Sequence, residues 1–141
     1  MKKNVSIKLV SRQNDGEHSE QVELLTEGMF RFGKESYEIS YRESEATGFE
    51  GAVTKLSVTG GDKVVMTRTA PADSSLIIEL GKKHHCHYGT PFGSFMVGVS
   101  AKEISSQITE EGGRLGFSYV IDVNSSYVGD FEIDIAVTPK N

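Results

Sequence analysis

The longest stretch with an apolar residue at every second position is residues 115–123, which read LGFSYVIDV. Every second position from Leu115 to Val123 is apolar, and this is the spacing of a β-strand with one buried face. The same period of two returns in five other runs, at residues 5–10, 37–42, 76–80, 95–101 and 131–137. The sequence therefore predicts an all-β fold.

Short links rich in turn-forming residues separate these runs. Four of them are Asn14-Asp15-Gly16, Gly60-Gly61-Asp62, Glu111-Gly112-Gly113 and Asn124-Ser125-Ser126. Such links favour hairpins and leave no room for crossover helices, so we expect eight to ten antiparallel strands. Strands with one apolar face must bury it in a sandwich or in a closed barrel. Long successive hairpins favour an up-and-down β-barrel, since closure also removes exposed edges.

Two segments depart from a simple strand pattern. Ala101, Ile104 and Ile108 have a spacing that fits a short helix as well as a strand end or a loop. Residues 17–33 form a run too long for one flat strand, and Gly28 is the expected place for a bend or bulge.

Length and composition limit the classes of protein. The 141 residues fit one β-barrel domain spanning residues 1–141. The chain carries 15 basic and 20 acidic residues, a net charge of −5, which argues against a nucleic-acid partner. Its one cysteine excludes an internal disulfide. Because no apolar stretch follows Lys2 and Lys3, and none is long enough to span a bilayer, we expect a cytoplasmic protein without a membrane partner.

Whether a residue has an odd or an even position along a strand, here called its parity, decides which face its side chain occupies. Parity places two charged side chains on the inward face. Glu43 shares its face with Tyr37 and Tyr41, and Arg68 shares its face with Val64 and Met66. An unpaired buried charge is unfavourable by several kcal/mol. We therefore expect Glu43 and Arg68 to pair with each other or to lie near a solvent-exposed end of the barrel.

Inward-facing tyrosines accompany these charges. Tyr37, Tyr41, Tyr88 and Tyr119 could line one cavity and present hydroxyl groups to a ligand. With Glu43 and Arg68 they form the candidate ligand-binding set. The alternative is a structural ion pair with core tyrosines that specify strand register, because small barrels usually fill their own interior.

The densest set of metal-ligand residue types is His84-His85-Cys86-His87. On a strand His85 and His87 share one face, and two imidazoles at this spacing can chelate a transition metal. One face offers only two ligands, whereas a closed zinc site needs four. His85 and His87 are therefore weak metal candidates, and no cofactor is expected.

Several segments resemble a known family. They are YEISYRESE at 37–45, TRT at 67–69, LIIELG at 76–81, YGTPFG at 88–93 and LGFSYVI at 115–121. Together they resemble the YwiB-like family of small bacterial proteins of unknown function. The resemblance implies a calycin-like (lipocalin-like) antiparallel β-barrel and a cytosolic protein of a mostly Gram-positive host. It implies no catalytic residue, and the chain departs from the family pattern at His84–His87.

Three functions are compatible with these features. The first is a non-enzymatic barrel that binds a small, partly apolar molecule through the tyrosines, Glu43 and Arg68. The second is a protein-protein interaction module or a homodimer without a small-molecule ligand. The third, an enzyme assisted by a metal at His85 and His87, has the least support, so catalytic residues are not assigned.

Overall fold

The computed structural model describes residues 2–44, 50–69, 73–90 and 93–140. Across these ranges the chain forms ten strands and no helix, which confirms the all-β prediction and the expected strand number. The strands are β1 (Lys2–Asn14), β2 (Ser19–Phe32), β3 (Ser36–Arg42), β4 (Val53–Thr59), β5 (Lys63–Arg68), β6 (Ser74–Glu79), β7 (Lys83–Thr90), β8 (Gly93–Thr109), β9 (Gly112–Val123) and β10 (Ser126–Pro139). Glu45, Pro91 and Phe92 of the family-like segments lie outside the described residues.

Each strand pairs antiparallel with the next one along the chain, and β1 also pairs with β10. The sheet is therefore a closed up-and-down barrel, as the hairpin pattern predicts. Because the chain reverses at every turn, the connections β1–β2, β3–β4, β5–β6, β7–β8 and β9–β10 leave from one end, here named the upper end. No helix in the described ranges is long and apolar enough to cross a membrane.

Strand length divides the barrel wall into two parts. The neighbouring strands β8, β9, β10, β1 and β2 have 12 to 17 residues. The other five, β3 to β7, have six to eight residues each. Since a strand rises about 3.3 Å per residue, the wall around β9 and β10 is taller than the wall around β5.

Alternate side chains of every strand fill the barrel interior. The largest fully buried ones are Phe30, Ile7, Leu9, Ile39, Leu56, Leu76, Ile78, Leu115, Ile135, Val5, Val58 and Val64. They come from nearly all strands and form one cluster of buried residues. Burial of this apolar surface is the main term that stabilises the fold, and it leaves little room for a ligand among these side chains.

A β-bulge explains the helix-like spacing after Ala101. The register of β8 against β9 shifts between Ala101 and Glu103, so the inward face passes from odd to even positions. Ile104 and Ile108 consequently face the same side as Ala101 within a strand that continues to Thr109. The strand alternative is therefore correct for this segment, and the helix is wrong.

Gly28 is required by a close approach of backbone. It pairs in regular register with Val5 and with Tyr41, so the expected bulge is absent from both ladders at this described position. A Cβ atom at Gly28 would collide with the carbonyl oxygen of Ser40. Only glycine lets β2 and β3 approach this closely.

Candidate functional site

Strand register brings one row of residues side by side near the upper end. Successive cross-strand partners in this row are Tyr41, Thr54, Arg68, Ser74, Tyr88 and Phe95. Glu43 follows Tyr41 by two residues and is also buried, so it faces inward as parity predicts. Tyr119, on β9, lies outside this row, but it interacts electrostatically with Arg68 and Tyr41. We call Tyr41, Glu43, Thr54, Arg68, Tyr88 and Tyr119 the polar cluster.

A buried ion pair lies at the centre of the polar cluster. The Glu43 side chain is 2% exposed and the Arg68 side chain 11% exposed, and Arg68 Nη2 lies 3.2 Å from Glu43 Oε2. Thr54 Oγ1 donates to the same carboxylate oxygen and accepts from Arg68 Nε at 3.2 Å. The pairing expected from parity is therefore present. A buried ion pair is weak evidence for stability, because desolvation offsets its Coulomb energy.

Burial keeps two hydroxyls of the polar cluster protonated. The pKa of Tyr41 is raised first by desolvation and then by the negative charge of Glu43, while Arg68 and a hydrogen bond with Thr54 oppose the rise. The pKa of Tyr119 is also raised by desolvation, and the positive charge of Arg68 opposes it. The positive charge of Arg68 therefore opposes the rise in pKa at both tyrosines.

The Tyr119 hydroxyl retains some access to water. Tyr119 is only 4% exposed, yet no hydrogen bond joins its hydroxyl to any residue that the structure describes. Every fully enclosed side-chain nitrogen or oxygen among those residues has a hydrogen-bond partner. The Tyr119 hydroxyl must therefore be reachable by a water-sized molecule, since it would otherwise be a buried orphan.

Tyr88 and Phe95 lie together at the upper end of the barrel. They are direct cross-strand partners on β7 and β8, so their side chains are neighbours on one face. Tyr88 is partly buried against the core, whereas Phe95 is 50% exposed. A molecule entering at the upper end would meet an aromatic surface before it reached the hydroxyl of Tyr119.

The structure places Tyr37 apart from the other tyrosines of the candidate set. Its hydroxyl hydrogen bonds with Ser106 Oγ, and its ring stacks on Phe32 with centroids 6.3 Å apart. Desolvation raises its pKa, and the Ser106 contact lowers it. Tyr37 shares the inward face with Tyr41 but lies four residues further from the upper end, so it does not join the polar cluster.

Sequence reasoning missed Thr54 and Ser74. Both are buried polar residues, and Ser74 Oγ accepts from the Gly89 amide at 3.1 Å. The available signal was parity, because Thr54 shares its face with Leu56 and Val58, and Ser74 shares its face with Leu76. Threonine is common in strands, so its inward position did not stand out.

The histidine tract offers separate contacts rather than a metal centre. Among the described residues no group of three or more His, Cys, Asp or Glu side chains could hold a metal ion. His85 and His87 are exposed on the outer face of β7. His84 Nε2 lies 2.9 Å from Glu79 Oε1, and buried Cys86 accepts a hydrogen bond from the Ile77 amide.

A concave surface on the barrel wall spans β2, β1, β10, β9 and β8. It encloses about 610 Å³ and includes Arg12, Lys102, Asp130 and Glu132. Its cations already pair with neighbouring carboxylates, Arg12 with Glu132 and Asp134 and Lys102 with Asp130. These pairs are about half exposed and therefore screened by water. The polar cluster, with a desolvated and unpartnered hydroxyl, is the stronger candidate site.

The raised tyrosine pKa values predict a loss of stability at alkaline pH. The folded chain retains the Tyr41 and Tyr119 protons, whereas the unfolded chain releases them above about pH 10. The unfolded state then binds fewer protons, so the free energy of unfolding falls as pH rises. Urea unfolding at a series of alkaline pH values should show this fall, and Tyr119→Phe should make it shallower. An equally steep fall in Tyr119→Phe would contradict the role of Tyr119.

Comparison with known proteins gives two matches. The family model described as Domain of unknown function (DUF1934) matches residues 7–135. The crystal structure of the ywiB protein from Bacillus subtilis superposes with a TM-score of 0.83 at 20% sequence identity, over 99% of this chain and 94% of that chain. No protein in the curated set matches. The structural likeness confirms the barrel, and the family model confirms the resemblance noted in the sequence. The chain belongs to the DUF1934 family.

Proposed function

We propose that this protein is a non-enzymatic binder of a small, partly apolar molecule, held by the polar cluster at the upper end of the barrel. The observation that carries the proposal is the Tyr119 hydroxyl, which is buried, lacks a partner among the described residues and retains some access to water. A calycin-like mode of binding and the cytoplasmic location expected from the sequence belong to the same proposal.

The Tyr119 hydroxyl leaves a hydrogen-bonding position open to a bound molecule or to a water. A buried polar group without a partner destabilises a fold by about 1–3 kcal/mol. A hydrogen-bonding ligand or an ordered water would remove that penalty. As a purely structural feature, the Glu43–Arg68 pair would add little net stability. In a binding site, its arginine would supply a positive charge that acts on the Tyr119 hydroxyl.

The packing of the barrel limits the size of the ligand. Below the polar cluster the interior is occupied by inaccessible side chains such as Phe30, Leu56 and Leu115. The ligand therefore reaches inward only as far as Tyr119, and its remaining part lies toward Phe95. A molecule with one polar end and one short apolar or aromatic portion fits this arrangement.

Titration of isotopically labelled protein with benzyl alcohol, followed by two-dimensional NMR, tests the proposal. We expect saturable shifts centred on the amides of Arg68, Tyr88, Phe95 and Tyr119. Tyr119→Phe should weaken binding about fivefold, because it removes a hydrogen bond of about 1 kcal/mol. Tyr37→Phe is the matched control, since it removes another inward tyrosine hydroxyl away from the polar cluster, and it should leave binding unchanged. Shifts that do not saturate, or that Tyr119→Phe leaves intact, would contradict the proposal.

Pairing with a second copy is the other candidate, and two exposed apolar residues at the upper end of β8 favour it. Phe95, on the inward face, is 50% exposed and Met96, on the outer face, is 61% exposed, which is unusual for large apolar side chains. Sedimentation of the NMR samples separates the candidates. A monomer that binds benzyl alcohol supports the ligand proposal, whereas a stable dimer that binds none supports the homodimer.

A further inference from the structure

The second half of β8 has a free sheet edge, although the barrel is closed. β8 starts at the upper end and runs to the opposite end, here named the lower end, where it finishes at Thr109. β7 pairs with β8 only as far as Ser100. From residue 103 onward β8 has one partner among the described strands, β9, and each of residues 102–109 is exposed or half-buried. An edge of this kind presents N–H and C=O groups that can receive another strand.

Charge distinguishes this edge from the equivalent edge of β2. Among the described strands, residues 19–27 of β2 pair with β1 alone, because β3 joins only at Gly28. This segment of β2 carries three glutamates, and charged side chains on an edge disfavour the addition of a strand. Residues 103–109 of β8 carry one charge, at Glu103, and two isoleucines. The β8 edge is therefore the better acceptor of a further strand.

The β8 edge is complementary to itself in an antiparallel register centred on Ser106. In this register Ile104 of one copy lies opposite Ile108 of the other. Both side chains are half-buried and already pack against the core. A facing isoleucine would cover the surface that is still exposed, and burial of apolar surface favours the pairing.

The charges at the two ends of the segment fit the same register. The pairing brings Lys102 of each copy to Glu110 of the other, and both residues are exposed in the single chain. Lys102 Nζ lies 3.1 Å from Asp130, but the lysine side chain is 55% exposed and can contact a second carboxylate. Glu103 lies opposite Thr109, so no like charges face each other directly. Opposite charges across a strand pair are stabilising.

We propose that two copies of this chain associate through the second half of β8, in an antiparallel pairing that joins their two sheets. A two-fold axis at Ser106 makes the contact the same on both copies, so the assembly closes as a dimer. The segment is short compared with the roughly 20–30 residues that each partner contributes to a standard interface. We therefore expect a dimer that dissociates on dilution.

The dimer does not depend on the proposed ligand site. The polar cluster is near the upper end, whereas the paired segment of β8 finishes at the lower end. A dimer that binds benzyl alcohol would support both proposals, and a dimer that binds none would support this one alone.

Sedimentation of the full chain from micromolar to millimolar concentration tests the pairing. Ser105 of one copy lies opposite Gln107 of the other, and both side chains are exposed. Ser105→Lys with Gln107→Lys makes like charges face each other, whereas Ser105→Lys with Gln107→Glu makes opposite charges face each other. We expect the first double variant to raise the dimer Kd about fivefold or more, and the second to lower it below the wild-type value.

A control adds the same charge away from the edge. Asn4→Lys with Ser6→Lys changes two exposed residues of β1, which lies between β2 and β10, and it should leave the dimer Kd unchanged. Circular dichroism checks that each variant keeps its strands, and the variant with opposite charges keeps the test decisive if the one with like charges does not fold.

Three outcomes would overturn the inference. The first is a wild-type chain that stays monomeric at every concentration. The second is a dimer that the two β8 double variants change in the same direction. The third is a dimer that the β1 control weakens as much as the lysines on β8 do, which would place the contact elsewhere.

Discussion

Replacing Arg68 with methionine is expected to lower the free energy of unfolding by about 3–5 kcal/mol. The substitution leaves the Glu43 carboxylate, whose side chain is 2% exposed, without its cation inside the barrel. A folded domain is typically stable by only about 5–15 kcal/mol, so the variant would lose a large share of its stability. Urea unfolding at neutral pH, monitored by circular dichroism, measures the change.

Two further variants show whether the loss comes from the buried charge. Arg42→Met removes an exposed arginine from β3, near the same end of the barrel, and should change stability by less than about 0.5 kcal/mol. Combining Glu43→Leu with Arg68→Met should restore most of the loss, since an apolar pair can replace a buried ion pair. A single Arg68→Met variant as stable as Arg42→Met would show that the pair is not buried as described.

Phe30→Ala is expected to be equally damaging, with a loss of about 3–5 kcal/mol. Phe30 is fully inaccessible, and its ring centroid lies 6.0 Å from that of Phe32 and 6.2 Å from that of Tyr37. The substitution removes these contacts and leaves a cavity where β2 and β3 pack together. The denaturant midpoint should fall while the slope of the transition stays constant.

Leu25→Ala is the control for Phe30→Ala on the same strand. Leu25 is 77% exposed and faces outward, so its truncation should change the free energy of unfolding by less than about 0.5 kcal/mol. If the two variants were equally stable, the inward and outward faces of β2 would be wrongly assigned.

The barrel was predictable because two independent patterns in the sequence agree. The period of two defines one buried face on each strand, and the turns are too short for any crossover. The turn at Asn124 and Ser125 illustrates this agreement. Both residues have positive φ, 52° and 67°, as the tight hairpin between β9 and β10 requires.

Parity also brought most of the polar cluster together before any coordinates were considered. It placed Glu43, Arg68, Tyr41, Tyr88 and Tyr119 on the inward face, and the ion pair followed because buried charges need partners. Whether these residues bind a ligand stays a prediction.

Parity does not give the height of a residue along the barrel axis, and this is why Tyr37 was grouped with the cluster. Tyr37 and Glu43 are six residues apart on one face, a distance of about 20 Å along a strand. Only the register of the neighbouring strands shows that Tyr41 lies beside Thr54 and Arg68, and that Tyr37 lies beside Val58 and Val64.

The bulge at Ala101 could not be recognised from the sequence. A bulge changes the parity of the inward-facing residues, and the resulting spacing of apolar residues is the same as in a helix.

A high-resolution crystal structure of the unliganded protein tests the central claim most directly, because it shows what contacts the Tyr119 hydroxyl. We predict an ordered water, or an oxygen of a co-purified molecule, at about 2.7–2.8 Å from Tyr119 Oη, inside the barrel and beside Arg68. A Tyr119 hydroxyl sealed against protein atoms, or an Arg68 side chain on the outer wall, would contradict the account.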